Sequence, residues 1–346
     1  MNPSICKANN RVLIVVPTLN EADHIEAVVQ TLLKDSPADT QLVVADGGST
    51  DGTPSIVRQM NNPRVHLLKN PLRIQSAAIN LAVATKGEGA TYLLRADAHA
   101  HYPSGFVSAL LEDMRTTNAS AVAVAMATLA NRGFAAGVAA AQNSRLGTGG
   151  AAHRMGLGGR FIDHGHHALI RIDTFRAIGG YDSRQSHNED AEFDYRLTKN
   201  GGRIWLSGRT EIGYYPRQTP KALFLQYFRF GAGRAETLMK HKLIPRLRQT
   251  LPLFIAPAVL SAAIALPPGL LAPSWFWWAM MAPAVLWALL CLGYGAVLAV
   301  AAGRLAVLWA GPAAMLMHLG WSIGFLMHGA TGNRNRTAGA EISSSP

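Results

Sequence analysis

The chain has 346 residues, a formal net charge of +11 and a 49% share of apolar residues. That length exceeds one ordinary core, so a large domain with an appendage is expected. Two cysteines, Cys6 and Cys291, make no disulfide framework or metal set. No nucleic-acid-binding signature accompanies the basic balance, so anionic lipid headgroups and nucleotide ligands are the partners it suits.

No apolar signal core precedes Arg11, so the first domain is expected to stay on the cytoplasmic side. Arg11–Val16 reads as a buried strand running into Pro17-Thr18-Leu19-Asn20-Glu21. Asn20 and Glu21 then open a predicted helix, with Ile25, Val28, Val29 and Leu32 at apolar spacing. Leu42–Ala45 is a second buried strand, and it stops at Asp46-Gly47-Gly48-Ser49-Thr50-Asp51-Gly52-Thr53. Small polar residues after a buried strand mark the carboxyl edge of an open α/β sheet, where ligands bind. The two segments deliver Glu21 and Asp46 to one such edge. Taken alone, the second would be an ordinary Asp-Gly turn.

The two motifs, in this order and spacing, resemble those of the family 2 inverting glycosyltransferases with a GT-A fold, over roughly residues 11–235. The resemblance implies an α/β, Rossmann-like mixed sheet, in which Pro17, Asn20, Glu21, Asp46 and Gly47 contact a nucleotide sugar. Val65–Leu68 is a third short strand, and a helix follows from Arg73 to Ala84. In the family this helix starts near the diphosphate, which makes Arg73 either a phosphate contact or a solvated surface charge.

Tyr92–Arg95 leads to Asp97-Ala98-His99. Extended backbone would send Asp97 and His99 to the same side. The family's Asp-X-Asp motif, of which Asp-X-His is a variation, holds a divalent cation against the diphosphate. Asp97 and His99 are therefore the expected ligands of Mg2+ or Mn2+, and the imidazole suits Mn2+ somewhat better. Phe106–Met114 reads as an amphipathic helix and Ala121–Met126 as a strand. Residues 131–160, rich in Gly and Ala, read either as an acceptor loop or as a helix docking near the membrane.

Phe161–Arg171 carries His164, His166 and His167 beside Asp163. Consecutive strand residues make an awkward tetrahedral site, so His164 and His166 are candidate acceptor contacts instead. After the turn at Gly179-Gly180, Asn188 is positioned to cap a helix whose first turn holds Glu189 and Asp190. The helix dipole favours ionised carboxylates there. Carried over from the family motif, Asp190 is the catalytic base and Glu189 its acceptor-side neighbour. Gln226-Tyr227-Phe228-Arg229-Phe230 resembles the family's Gln-X-X-Arg-Trp element, with Phe230 in place of Trp. Gln226, Arg229 and Arg234 are weaker candidates for the diphosphate or acceptor, and the same helix also reads as a basic one lying on lipid.

Beyond Lys240, Lys242, Arg246 and Arg248, the runs Leu251–Leu271, Trp275–Val300 and Leu305–His328 are each long enough to span a bilayer. The basic flank and Arg304 suit cytoplasmic loops, while Pro252, Pro257, Pro267 and Pro268 would also suit a re-entrant first run. The expected layout is a tail (1–10), a cytoplasmic catalytic domain (11–220), a basic interfacial segment (221–250), a membrane domain (251–330) and a polar tail (331–346).

The resemblance extends to succinoglycan-type glucosyltransferases of bacterial exopolysaccharide assembly. It implies an inner-membrane, multi-pass enzyme that moves a hexose, glucose being expected, from a UDP-sugar to a polyprenyl-diphosphate-linked saccharide. A processive polysaccharide synthase would use the same residues. So would a non-catalytic nucleotide-sugar-binding scaffold.

Overall fold

The computed structural model describes residues 10–342, apart from 157, 186 and 246. The tail up to residue 9, Arg246 of the basic flank and residues 343–346 lie outside the described residues. In chain order the elements are β1 (Val12–Thr18), α1 (Ile25–Lys34), β2 (Gln41–Asp46), α2 (Thr53–Gln59), β3 (Val65–Lys69), α3 (Gln75–Lys86), β4 (Tyr92–Arg95) and β5 (Ala100–His101). Next come α4 (Phe106–Thr117), β6 (Ala121–Thr128), α5 (Gly133–Gln142), α6 (Arg145–Thr148), β7 (Arg160–Ile162), β8 (His166–Arg171) and α7 (Ile172–Ala177). The chain continues through α8 (Glu189–Lys199), β9 (Ile204–Tyr214), α9 (Pro220–His241), α10 (Leu247–Thr250), α11 (Ile255–Leu271), α12 (Trp275–Ala302) and α13 (Ala310–Ile342).

These elements form two compact units. The first holds the described residues up to Ala127 together with Met155–Tyr214. Its sheet runs β3-β2-β1-β4-β8-β6-β9-β5, with β7 on β9. The pairs β2–β3, β1–β2 and β1–β4 are parallel, and β8 is antiparallel to β4. Leu13–Val16 and Leu42–Ala45 are wholly buried, as strands covered on both faces must be. Helix α1 buries Ile25, Val28, Val29, Leu32 and Leu33 against this sheet's core, so its apolar stripe is the one its spacing predicts. It starts at Ile25 rather than at Asn20, because Asn20 sits at φ +58 and breaks the helical path.

The topology places the site. Parallel pairing aligns Thr18 with Asp46 and Val15 with Arg95, so β1, β2 and β4 end at one edge. In the antiparallel pair, Leu94 faces Leu169 and Tyr92 faces Arg171. That register brings the start of β8, at His166, to the end of β4.

The second unit gathers Thr128–Arg154 with the described residues from Tyr215 onward. The Gly/Ala-rich stretch is largely helical here, as α5 and α6, and its small residues permit close contact: a Cβ on Gly137 would lie 2.3 Å from Trp309 Cβ. Helices α9 and α13 meet as closely, at Gly231, Gly320 and Gly324. His318 on α13 donates from Nε2 to the Leu146 carbonyl (2.7 Å) and accepts the Trp287 indole N–H at Nδ1 (3.2 Å). Leu251–Leu271, Trp275–Ala302 and Leu305–Gly329 are long and apolar enough to cross a membrane. Pro267 and Pro268 lie inside the first of them without ending it.

A candidate active site at the sheet edge

The loops after β1 and β2 are stapled together by their own side chains. Asn20 N–H donates to Ser49 Oγ (2.8 Å) and Thr50 N–H returns to Asn20 Oδ1 (2.9 Å). Glu21 N–H donates to Thr53 Oγ1 (2.9 Å), and Ala22 N–H to Asp51 Oδ2 (2.9 Å). Asp46 Oδ2 accepts the N–H groups of Gly48 (2.9 Å) and Ser49 (3.1 Å). Asp46 therefore bends its own loop, a turn that puts Gly48 at φ +92, where an L side chain is strained. Gly47 N–H closes onto the Thr18 carbonyl (2.8 Å), one residue after Pro17. Arg73 lies alongside: its NH2 atom is 3.5 Å from where a Cβ on Gly48 would stand. Pro17, Asn20, Glu21, Asp46, Gly47 and Arg73 thus lie together in adjoining segments around the ends of β1 and β2. Asp51 and Thr53 belong with them as staples.

The strand β4 stops at Arg95, so Asp97 and His99 lie in a turn closed by Ala100 N–H on the Asp97 carbonyl (3.4 Å). The extended-strand expectation fails there, and the two side chains have different partners. Asp97 Oδ1 accepts the Gln75 amide (2.8 Å), and its Oδ2 lies 3.6 Å from His166 Nε2. His99 Nδ1 instead meets Glu21 Oε1 (2.8 Å), tying this turn to the β1 loop. The phenol of Tyr102 braces the turn, accepting Asp97 N–H at 2.6 Å.

The third part comes from α8. Asn188 occupies the N-cap position but is left-handed (φ +62) and makes no side-chain cap, contrary to the expected capping bond. The acidic first turn is as expected. Arg95, only 5% exposed, reaches both carboxylates: NH1 to Asp190 Oδ1, and NH2 to Glu189 Oε1 (3.2 Å). Tyr181 OH also donates to Asp190 Oδ1 (3.2 Å). On the other side, His166 Nδ1 lies 3.8 Å from Asp190 Oδ2, so its imidazole stands between Asp97 and Asp190. His164 is engaged elsewhere, its Nδ1 2.5 Å from the buried Asp194 Oδ2.

These groups set one another's charge. Burial pushes the Asp97 carboxyl up, but Arg95, His166 and His99 outweigh it and hold the group below the usual range. Burial works against the Arg95 cation too, yet Asp190, Tyr181 and Glu189 raise its pKa well above normal. Glu189 goes the other way: burial lifts it to about 7 against the pull of Arg95. Burial also raises Tyr181, which keeps its phenol protonated as a donor. The edge thus presents an ionised Asp97 next to an Asp190 whose Oδ1 is held by two donors. Sequence reasoning assigned no role to Arg95, Gln75, Tyr181 or Asp194. Arg95 did leave a trace, as a charge closing the apolar strand Tyr92-Leu93-Leu94.

Gln226, Arg229 and Arg234 lie on α9 in the second unit. Among the described residues, no three His, Cys, Asp or Glu side chains are grouped as metal ligands.

Comparison with known proteins bears on the family and the fold. A family model described as glycosyl transferase family 2 matches residues 13–179. Over 316 residues the chain is 49% identical to the succinoglycan biosynthesis protein ExoA of Rhizobium meliloti, spanning 90% of this chain and 93% of that protein. A more distant relative is the dolichyl N-acetyl-alpha-D-glucosaminyl phosphate 3-beta-D-2,3-diacetamido-2,3-dideoxy-beta-D-glucuronosyltransferase of Methanococcus voltae. It is 21% identical over 244 residues, or 67% of this chain and 75% of that one. Among solved structures, the mannosyltransferase PcManGT from Pyrobaculum calidifontis, in complex with GDP-Man and Mn2+, shares the fold. It has a TM-score of 0.59 at 21% identity, over 91% of this chain and 87% of that chain. The chain is a glycosyltransferase of family 2, built on the GT-A fold.

Proposed function

We propose that the protein is a membrane-anchored inverting glycosyltransferase of exopolysaccharide biosynthesis. It moves a hexose, glucose by expectation, from a UDP-sugar to a lipid-linked saccharide. The observation that carries the reading is the clamped Asp190 beside the ionised Asp97. In this reading Asp190 takes the proton of an acceptor hydroxyl. The acceptor oxygen then bonds to the anomeric carbon from the face opposite the diphosphate. The bond to the diphosphate breaks, its electron pair leaves with the nucleoside diphosphate, and the configuration inverts. Glu189 stands at the acceptor side.

Pro17, Asn20, Glu21, Asp46, Gly47 and Arg73 bind the nucleotide sugar. Asp97 and His99 would hold a divalent cation. The carboxylate of Asp97, with imidazole nearby (His166 Nε2 at 3.6 Å), would offer a mixed oxygen and nitrogen donor set that suits Mn2+ better than Mg2+. When bound, the cation supplies charge neutralisation at the departing diphosphate. His164, His166, Gln226, Arg229 and Arg234 serve the acceptor or the diphosphate.

The lipid-linked acceptor is supported by three apolar helices and by a relative whose name specifies a dolichyl phosphate substrate. Exopolysaccharide assembly is supported by the succinoglycan biosynthesis relative. We place residues 11–220 in the cytoplasm and 251–330 in the bacterial inner membrane, with 221–250 at the interface.

The test is UDP release by the detergent-solubilised full chain across a panel of UDP-sugars, with membrane lipid extract as acceptor. Release with one sugar, lost in EDTA and in Asp190→Asn, is the expected result. Undiminished release by Asp190→Asn would remove the base from the mechanism, and release unaffected by EDTA would remove the cation.

A further inference from the structure

Asp190 has two carboxylate oxygens in unlike surroundings. Oδ1 receives Arg95 NH1 and the Tyr181 hydroxyl at 3.2 Å, whereas Oδ2 faces His166 Nδ1 at 3.8 Å. A carboxylate turns easily about its last side-chain torsion, and two donors converging on one oxygen stop that rotation. Both donors are themselves immobilised. The Tyr181 ring packs against Phe175 and Phe193, with centroids 5.6 and 4.8 Å away, and its backbone N–H donates to Asn80 Oδ1 at 3.0 Å. Arg95 ends a fully buried strand, and its second terminal nitrogen holds Glu189 at 3.2 Å. A guanidinium fork spans two carboxylates at once, which a lysine ammonium does less well.

We infer that Arg95 and Tyr181 are positioning residues that clamp Asp190 by Oδ1, making Oδ2 the atom that receives the acceptor proton. The inference rests on Asp190 being the base. A purely structural ion pair would hold the fold together and leave the choice of oxygen without consequence.

The test is a set of double-mutant cycles on the solubilised full chain, with the UDP-sugar that the wild type turns over and membrane lipid extract as acceptor. Arg95→Lys and Tyr181→Phe are each made in the wild type and in Asp190→Asn. In the wild type, Arg95→Lys is expected to lower kcat by about 100-fold and Tyr181→Phe by about 5-fold, with donor KM within about 2-fold. In the Asp190→Asn background the same changes should move the residual rate by less than about 2-fold, because groups acting through one residue are not additive. Equal losses in both backgrounds would assign the pair a structural role and overturn the clamp, as would wild-type kcat in Arg95→Lys. Asp190→Asn at wild-type rate would instead overturn the assignment of the base itself. Arg95→Lys keeps a cation, and Tyr181→Phe removes only the hydroxyl while keeping the ring packed on Phe175 and Phe193, so the cycles do not depend on a larger truncation folding.

Discussion

Glu189 makes the stability of the protein depend on pH in a direction opposite to that of a salt-bridged acid. The residue is 7% exposed, and its carboxyl is lifted from 4.5 to about 7. A carboxyl raised in the fold contributes stability that is fully present below pH 4.5. That stability is lost as pH rises through 7, because ionising the buried group costs more than ionising it in the unfolded chain. At 1.36 kcal/mol per pH unit, the span corresponds to roughly 3 kcal/mol. Glu189→Gln keeps the shape and an oxygen for Arg95 NH2 but has nothing to ionise. Thermal unfolding of the solubilised wild type and Glu189→Gln should be followed at pH 5 and pH 8. The wild type is expected to lose roughly 2–3 kcal/mol more than the variant over that interval. Groups present in both proteins cancel in the difference. Asp97, held below its ordinary range, loses its contribution only in more acidic solution. A stability difference between the two proteins that is equal at both pH values would show that Glu189 is already ionised at pH 5, and would refute the reasoning.

The α9–α13 contact predicts an asymmetry between glycines of the second unit. A Cβ on Gly324 would stand 1.9 Å from the Phe228 carbonyl oxygen, whereas one on Gly293 would have no heavy atom of the described residues within 4 Å beyond its own helix backbone and chain neighbours. Gly324→Ala should lower stability in detergent by about 1–3 kcal/mol and Gly293→Ala should raise it by up to about 1 kcal/mol, both read by thermal unfolding. In the first unit, Asp51→Ala removes the acceptor of Ala22 N–H (2.9 Å), Thr53 N–H (3.0 Å) and the Thr53 hydroxyl (2.6 Å). UDP binding measured by calorimetry should weaken about tenfold if this loop carries the nucleotide, and an unchanged affinity would mean that its hydrogen bonds shape something else.

The sequence showed most of what depends on local pattern. The buried runs of β1 and β2, the apolar stripe of α1 and the apolar helices from residue 251 onward all follow from periodicity or from unbroken apolar length. What it hid depends on distant partners. Asp46 read as a ligand acceptor, yet Oδ2 accepts backbone N–H groups of its own loop, which no composition signals. Arg95 meets Glu189 and Asp190 across 94 and 95 residues. The Gly/Ala-rich stretch had no legible period because its small residues serve contacts such as Gly137 on Trp309, far along the chain. Asn188 has the residue type of a cap but a left-handed backbone, a tertiary outcome.

The charges around Arg95 are better explained by chemistry than by stability. Leu93 and Leu94 are wholly buried, and an apolar side chain at position 95 would continue the same strand pattern. Replacing buried ion pairs with apolar groups of similar volume is often neutral or stabilising, since desolvation can exceed the Coulombic gain. Here the cost extends further: burial leaves Glu189 only partly ionised near neutral pH, even with Arg95 beside it. A strand optimised for the fold alone would lack this arrangement. The charges also sit where β4, β8 and α8 meet, and not through the core, which is apolar across β1, β2 and α1. Placed there, a fixed cation accounts for an ionised Asp97 and an Asp190 held by one oxygen, while burial, against that cation's pull, keeps the neighbouring carboxyl near its titration point. A non-catalytic nucleotide-binding scaffold would need the first of these and would have no use for the other two.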